Sequence, residues 1–257
     1  MSKILSVNNL CKTYIINKRQ INVLKNIDFD MEEGEFVSIM GPSGSGKSTL
    51  LYAVSGMDHM TSGKAVFAGK DISNLSDNKM ADLRLDEMGF VFQQMHLLKN
   101  LSVFDNVIVS AYYSSNGKKK YQRKMINEYA KELMRKLEVI DIADNDITEV
   151  SGGQLQRVCI CRAMINKPKM IFADEPTGAL NSKASKEVME ELNRINAEGT
   201  SILLVTHDVK VAASTDKVLY LVDGNIQGEL SLEKYTDKST SQERERKLNA
   251  WLMEMGW

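Results

Sequence analysis

The sequence predicts an α/β fold: a mixed β core, a helical subdomain inserted into it, and an amphipathic helix near the C-terminal end. Three observations predict it. A buried-strand pattern, Phe36-Val37-Ser38-Ile39-Met40, runs straight into a glycine-rich stretch and then into apolar residues at helical spacing, Leu50, Leu51 and Val54. Between residues 94 and about 165 the period is helical, with Ile126, Tyr129, Ala130, Leu133, Met134 and Leu137 on one face. From Met170 short apolar runs return at 171–173, 202–206 and 218–222, compatible with buried strands.

The other elements follow in chain order. Residues 5–7, 23–29 and 66–67 are short apolar or alternating runs with polar turns between them, so residues 1–92 read as mixed β structure. Val188, Leu192 and Ile195 mark a helix ahead of the strand at 202–206. Asp223-Gly224-Asn225 is a turn signal, and Ile226 begins a returning strand. After the polar stretch 236–242 and Glu243-Arg244-Glu245-Arg246-Lys247 comes one narrow apolar face, Leu248, Trp251, Leu252 and Met255, with Trp257 last. A lone amphipathic helix must bury that face. Its own domain and a partner protein are both open as the surface it covers.

Composition narrows the function. The 257 residues suit one α/β domain with an inserted subdomain. Lys plus Arg total 33 against 34 Asp plus Glu, and a formal net charge of −1 gives no support to a nucleic-acid binder. No apolar run exceeds five residues, far below the ~20 that a membrane-spanning helix needs. The first nine residues lack the apolar core of a signal peptide. A soluble protein is therefore expected, and any transport role calls for a separate membrane subunit. Cys11, Cys159 and Cys161 fit a reducing compartment. Cys159 and Cys161 lie in an apolar pattern without a second cysteine pair or nearby His to complete a tetrahedral metal site, and they read as core. Lys118-Lys119-Lys120-Tyr121-Gln122-Arg123-Lys124 is either a contact for anionic lipid headgroups or a solvated loop and helix start.

Three stretches carry chemistry. Gly41-Pro42-Ser43-Gly44-Ser45-Gly46-Lys47-Ser48-Thr49 lies between a strand and a helix, the context a phosphate-binding loop requires. Its glycines turn backbone N–H groups toward phosphate oxygens, and the helix N-terminus favours negative charge. Lys47 is expected to reach the β- and γ-phosphates, and the Ser48 hydroxyl to ligate Mg²⁺. Asp174 and Glu175 end an apolar strand, where ligand crevices of open parallel sheets lie. Asp174 can hold the Mg²⁺ shell there, and Glu175 can activate or orient the attacking water. His207 ends the strand at 202–206 and is a candidate donor to a γ-phosphate, whereas His59 and His96 read as structural.

Between the loop and the acidic pair stands Ser151-Gly152-Gly153-Gln154. With it, residues 1 to about 226 resemble the P-loop NTPase domains of ABC transporters, the nucleotide-binding domains. The resemblance implies that Tyr14 stacks on adenine and that Gln93, in Phe90-Val91-Phe92-Gln93, links the Mg²⁺ and water site to a membrane subunit. It implies that Ser151, Gly152, Gly153 and Gln154 meet the γ-phosphate of ATP bound to the opposite protomer. His207 matches the switch histidine, and Gly178-Ala179-Leu180-Asn181 the loop that crosses the dimer interface. ATP and Mg²⁺ are then the ligands: Gly41, Ser43, Gly44, Gly46, Lys47, Ser48 and Thr49 hold the phosphates, while Ser48, Gln93 and Asp174 hold the metal. Residues 1–226 form the ATP-binding domain, with the helical subdomain at about 94–165, and 227–257 a C-terminal extension. The chain departs from the family pattern at Val150, Leu155 and Asn181; at Asn181 the usual Asp is replaced, which keeps the acceptor oxygen, loses the charge and gains a donor.

Phe90-Val91-Phe92-Gln93-Gln94-Met95-His96-Leu97-Leu98 and Asp174-Glu175-Pro176-Thr177-Gly178 are similar to the subgroup of macrolide-export, lipoprotein-release and cell-division ATPases. Asn181 and the tail Glu254-Met255-Gly256-Trp257 are most similar to the bacitracin- and lantibiotic-resistance (Bce-type) ATPases. The resemblance implies a homodimer at the cytoplasmic face of a bacterial membrane, on a permease with a large extracellular domain, often working with a two-component sensor kinase. An ATPase of a lipoprotein-release, macrolide-export or cell-division complex is the alternative, the last transmitting force without moving a solute.

Overall fold

The computed structural model of the protein describes residues 2–114, 120–235 and 240–257. The chain divides into two compact units, one of Met1–Ser76 with Asn193–Trp257, the other Asp77–Leu192.

The first unit contains an antiparallel hairpin of β1 (Lys3–Ile16) and β2 (Arg19–Glu32), extended by β4 (Ser62–Phe67) and β5 (Lys70–Asp71) in the order β2-β1-β4-β5. The hairpin is longer than its apolar runs suggest because its register slips, for example between Val7 and Leu10. Asn9 takes φ 49 at that slip and Asn26 takes the same value on the other strand; Asn tolerates this left-handed backbone as few residues do.

In the same unit β3 (Phe36–Met40) runs parallel between β8 (Ser201–Val205) and β9 (Lys217–Val222). Every residue of β3 and β8 is buried, which is why both read as unbroken apolar runs. The exceptions in type are Ser38, whose hydroxyl is paired with that of Thr215 at 2.9 Å, and Ser201, whose hydroxyl accepts the Gly34 N–H at 2.9 Å. Asp223 (φ 48) and Gly224 (φ 78) form the two-residue turn into β10 (Asn225–Ser231), both in the left-handed conformation that matches hairpin twist. The strand continues through the boundary expected at 226.

The apolar face of the last helix, α8 (Ser241–Glu254), covers its own unit. Leu248 and Leu252 pack with Met40, Ala212, Ala213, Val218, Tyr220 and Leu232. Trp251 and Met255 lie over Gly228, where a Cβ would come within 2.9 Å of either side chain. Buried Arg244 fastens the helix start, donating to the carbonyls of Ala213 (2.7 Å), Thr215 (2.6 Å) and Leu232 (2.5 Å).

The second unit begins with α2 (Asp77–Glu87), a helix inside the stretch expected to be β. Only Met80 and Leu83 of it are buried, too few to show a period. Next, β6 (Met88–Phe92) pairs in parallel with β7 (Met170–Asp174), from Met88 opposite Met170 to Phe92 opposite Asp174. Between them lie α3 (Val103–Tyr113), α4 (Lys120–Lys136) and α5 (Gly152–Met164). Ala130, Leu133, Met134 and Leu137 are buried, at the helical spacing the sequence shows. Lys118 and Lys119 of the basic run lie outside the described residues. The unit ends within α6 (Ser182–Ala197). Among the described residues, no helix is long and apolar enough to cross a membrane.

Candidate nucleotide-binding site

The first unit carries the phosphate loop, Tyr14 and His207. The loop leaves the buried end of β3 and opens α1 (Lys47–Val54). Two of its glycines are dictated by contact as well as backbone. At Gly41, with φ 155, a Cβ would lie 2.0 Å from the Leu221 carbonyl oxygen. Gly46 caps α1 with φ 103, and a Cβ there would press on Leu24 and the Val23 carbonyl at 3.0 and 3.1 Å. The Lys47 ammonium folds back over the loop to the carbonyls of Gly41 (2.8 Å) and Pro42 (2.9 Å). A cation held across the opening of a helix N-terminus favours an anion there. Ser43 and Gly44 are exposed, and Ser48 and Thr49 are half-buried on the first turn of the helix.

His207 follows β8, whose end lies beside that of β3, with Ile39 opposite Val205. The ring is exposed, on a turn fixed by its neighbours: the Asp208 N–H donates to the Thr206 hydroxyl at 3.0 Å, and the Asp208 carboxylate caps Lys210 at 2.8 Å. Tyr14, near the end of β1, donates its hydroxyl to Asp58 at 2.6 Å. Burial comes first among the causes that raise its phenol pKa, followed by the Asp58 carboxylate.

The second unit brings together Gln93, Asp174 and Glu175, and also carries Ser151-Gly152-Gly153-Gln154. Gln93 follows β6 and its backbone N–H donates to the Asp174 carbonyl at 2.9 Å. Gly178 comes so close that a Cβ would meet Gln93 Nε2 at 2.9 Å. Asp174 is buried at the end of β7, and Glu175 stands beyond it, half-buried, with φ 48. This left-handed backbone on a glutamate costs roughly 1–2 kcal/mol, a strain of the kind held at functional sites.

Ser151-Gly152-Gly153-Gln154 is a capping box at the start of α5. The Ser151 hydroxyl accepts from the Gln154 N–H at 3.4 Å and donates to Gln154 Oε1 at 2.8 Å. Ser151 and Gly152 are exposed, so the helix offers its positive end to the surface. Gly153 is required by packing, because a Cβ there would touch that of Ala184 at 2.9 Å. The same helix holds the chain on both sides of Gln93: Gln156 donates to the Phe92 carbonyl (3.2 Å), and Arg162 to those of Met95 (2.7 Å) and His96 (2.9 Å). Asn181 caps α6 by accepting the Ala184 N–H at 2.9 Å.

Sequence patterns did not single out Asp58, Arg162 or Arg244, since none lies in a motif. No sequence signal marks Asp58: Lys12 stands two residues before Tyr14, but its burial emerges only in the fold. His96 packs edge-on to Phe92, with ring centres 5.4 Å apart, and the His59 carbonyl accepts from Lys12. Cys159 and Cys161 are fully buried, and burial raises both thiol pKa values, that of Cys159 to about 11.

Comparison with known proteins decides the family. A family model described as ABC transporter matches residues 24–178. The chain belongs to the ABC transporter family. It is 45% identical over 225 residues to the uncharacterised ABC transporter ATP-binding protein YknY of Bacillus subtilis, covering 86% of this chain and 94% of that protein. It is 42% identical to the macrolide export ATP-binding/permease protein MacB of Campylobacter jejuni, over 90% of this chain and 35% of that longer protein. Among solved structures, the dimeric ABC transporter cassette MJ0796 of Methanocaldococcus jannaschii superposes with a TM-score of 0.82 at 38% identity, over 89% of this chain and 99% of that one. A post-hydrolysis state of MJ0796 bound to ADP and Pi gives 0.80. This protein therefore has the ABC cassette fold and is an ABC transporter ATPase, the ATP-binding part of a transporter.

Proposed function

We propose that the cassette works as a homodimer that binds two ATP molecules and drives an integral-membrane permease, a separate chain at whose cytoplasmic face it sits. The observation that carries this is the presence in one chain of every part such a cycle needs: a cradle for phosphate, an exposed helix start with two glycines, and a carboxylate beyond a strand end. The Gly41–Leu221 approach supports a phosphate cradle, because only a bare backbone fits where the loop must curl. Ser48, Gln93 and Asp174 supply oxygen donors of the type Mg²⁺ requires. When bound, Mg²⁺ neutralises charge on the transferring phosphate. Lys47 steadies the phosphates and the Ser151 helix start meets the γ-phosphate of the facing protomer. Glu175 takes the proton of the attacking water, and His207 donates to the γ-phosphate. The grip of α5 on the chain either side of Gln93 supports transmission of closure to the permease, since the helix that begins with Ser151-Gly152-Gly153-Gln154 also holds that segment.

For cargo, Asn181 and the tail ending at Trp257 support peptide-antibiotic resistance of the bacitracin and lantibiotic kind, with a permease bearing a large extracellular domain and a partner sensor kinase. The MacB relatives favour macrolide export as the second reading. Gene deletion followed by growth on bacitracin, a lantibiotic and a macrolide separates them. Sensitivity to the peptides alone is expected, and sensitivity to the macrolide alone would replace the first reading by the second.

A further inference from the structure

The surroundings of Tyr14 are built by residues outside every motif. Its hydroxyl donates to one oxygen of the Asp58 carboxylate at 2.6 Å. The other oxygen takes the Lys12 ammonium at 2.6 Å, and that ammonium also donates to the His59 carbonyl at 2.5 Å. The ammonium stands 4.7 Å from the centre of the Tyr14 ring, so one ring face carries a cation. Asp58 lies four residues past the C-terminal end of α1, the helix that the phosphate loop opens.

The Lys12 side chain is only 9% exposed. Taking a lysine and a carboxylate out of water carries a desolvation cost, and apolar side chains of the same volume often serve stability as well. What the charged network adds is direction. A phenol bonded to a fixed carboxylate, with an ammonium on one ring face, cannot turn. Ile21, the cross-strand partner of Tyr14, shares its face of the hairpin and is 47% exposed, leaving apolar surface beside the ring.

We propose that Asp58 and Lys12 are positioning residues for nucleotide binding: they fix the Tyr14 ring so that its face away from Lys12, flanked by Ile21, is a preset platform for a purine base. This rests on the reading of Tyr14 as the base-stacking residue. A ring already held in the bound orientation loses no rotamer freedom when the base arrives, so the benefit appears as affinity for base-bearing ligands. Inorganic tripolyphosphate, which needs only the loop, gains nothing from it.

The test measures equilibrium binding of ATP and of tripolyphosphate to the wild type, Tyr14→Ala, Tyr14→Phe, Asp58→Asn and the Tyr14→Phe/Asp58→Asn double variant, with thermal melting of each to confirm folding. Asp58→Asn is expected to weaken ATP binding about tenfold and tripolyphosphate binding by less than about twofold. Tyr14→Phe should behave alike, and the double variant no worse than either, because both changes weaken the same contact between phenol and side chain 58. Loss of ATP affinity in Tyr14→Ala but not in Asp58→Asn would overturn the positioning role and leave the base reading standing. Equal losses for ATP and tripolyphosphate, or additive losses in the double variant, would also overturn it, since Asp58 would then act on the loop. ATP affinity untouched by Tyr14→Ala would sink the base reading and the proposal together.

Discussion

Glu175 combines a carboxylate with a left-handed backbone, and this pairing shapes how it is tested. Gln has the same shape and the same backbone preference, so Glu175→Gln leaves the turn at 175–178 intact and removes only the basic oxygen. Turnover should fall by about 100-fold or more, while ATP holds the variant as a dimer in size-exclusion chromatography; near-normal steady-state hydrolysis would remove Glu175 from the role of base. Asn181 poses a different question, because its side chain is already engaged as the cap of α6. Asn and Asp cap equally well, so Asn181→Asp should melt as the wild type does, whereas Asn181→Ala should lose about 1 kcal/mol in denaturant unfolding. Asp58 gives a pH signature. Burial works to raise its carboxyl pKa, but the hydrogen bonds and charge of Lys12 and Tyr14 override it and hold the group below its ordinary 3.8. A carboxyl depressed in the folded state contributes fully above its unfolded pKa and loses that contribution as pH falls through the folded one. The melting gap between wild type and Asp58→Asn should therefore be widest near neutral pH and close below about pH 4. A gap that widens on acidification would mean that the carboxyl is not held ionised by Lys12.

At the scale of the element, α8 closes the core of the first unit. Leu248 is fully buried and Arg244 nearly so, and between them they fill and fasten one side of the first unit. Leu248→Ala should cost about 2–5 kcal/mol of stability, read from denaturant unfolding, and a change below about 0.5 kcal/mol would show that the helix does not share the core. The same helix shows where sequence reading reaches its limit. Its spacing of Leu248, Trp251, Leu252 and Met255 gives the helix and its apolar side, but not what lies beneath, because amphipathicity does not name the surface it covers. Gly228, the notch that admits Trp251, and the carbonyls that receive Arg244 are distant in sequence and have no local pattern. Strand ends were legible for a related reason: β3, β7 and β8 are buried on all positions, so Met40, Asp174 and Val205 stand where apolar runs stop. The helix α2 was not legible, with two buried residues in a polar stretch. Nor was the capping role of Ser151 and Gln154, although Ser-x-x-Gln before an apolar helix is the pattern that predicts it. The long β1–β2 pairing escaped notice because its slips, at Asn9 and Asn26, break the alternation that marks a strand.

At the scale of the whole molecule, the chain contains one phosphate loop and one Ser151-Gly152-Gly153-Gln154 helix start, carried on different compact units. In the proposed dimer each ATP is held by the loop of one chain and the helix start of the other, so the two sites are equivalent. Complementation tests this directly. Lys47→Met disables the loop. Gly152→Asp disables the helix start without disturbing the fold, because a Cβ there meets only Leu180, at 3.6 Å, and an Asp in the first turn favours the helix. Its carboxylate would instead repel a phosphate of the facing chain. Each variant alone has two damaged sites and should be nearly inactive. In a mixed dimer both lesions fall in one site and the other is whole. If the sites turn over independently, random mixing makes half of the dimers mixed, each with one good site, so the mixture should regain about a quarter of wild-type turnover. If the helix start served the nucleotide of its own chain, every site in the mixed dimer would still carry one lesion and mixing would restore nothing.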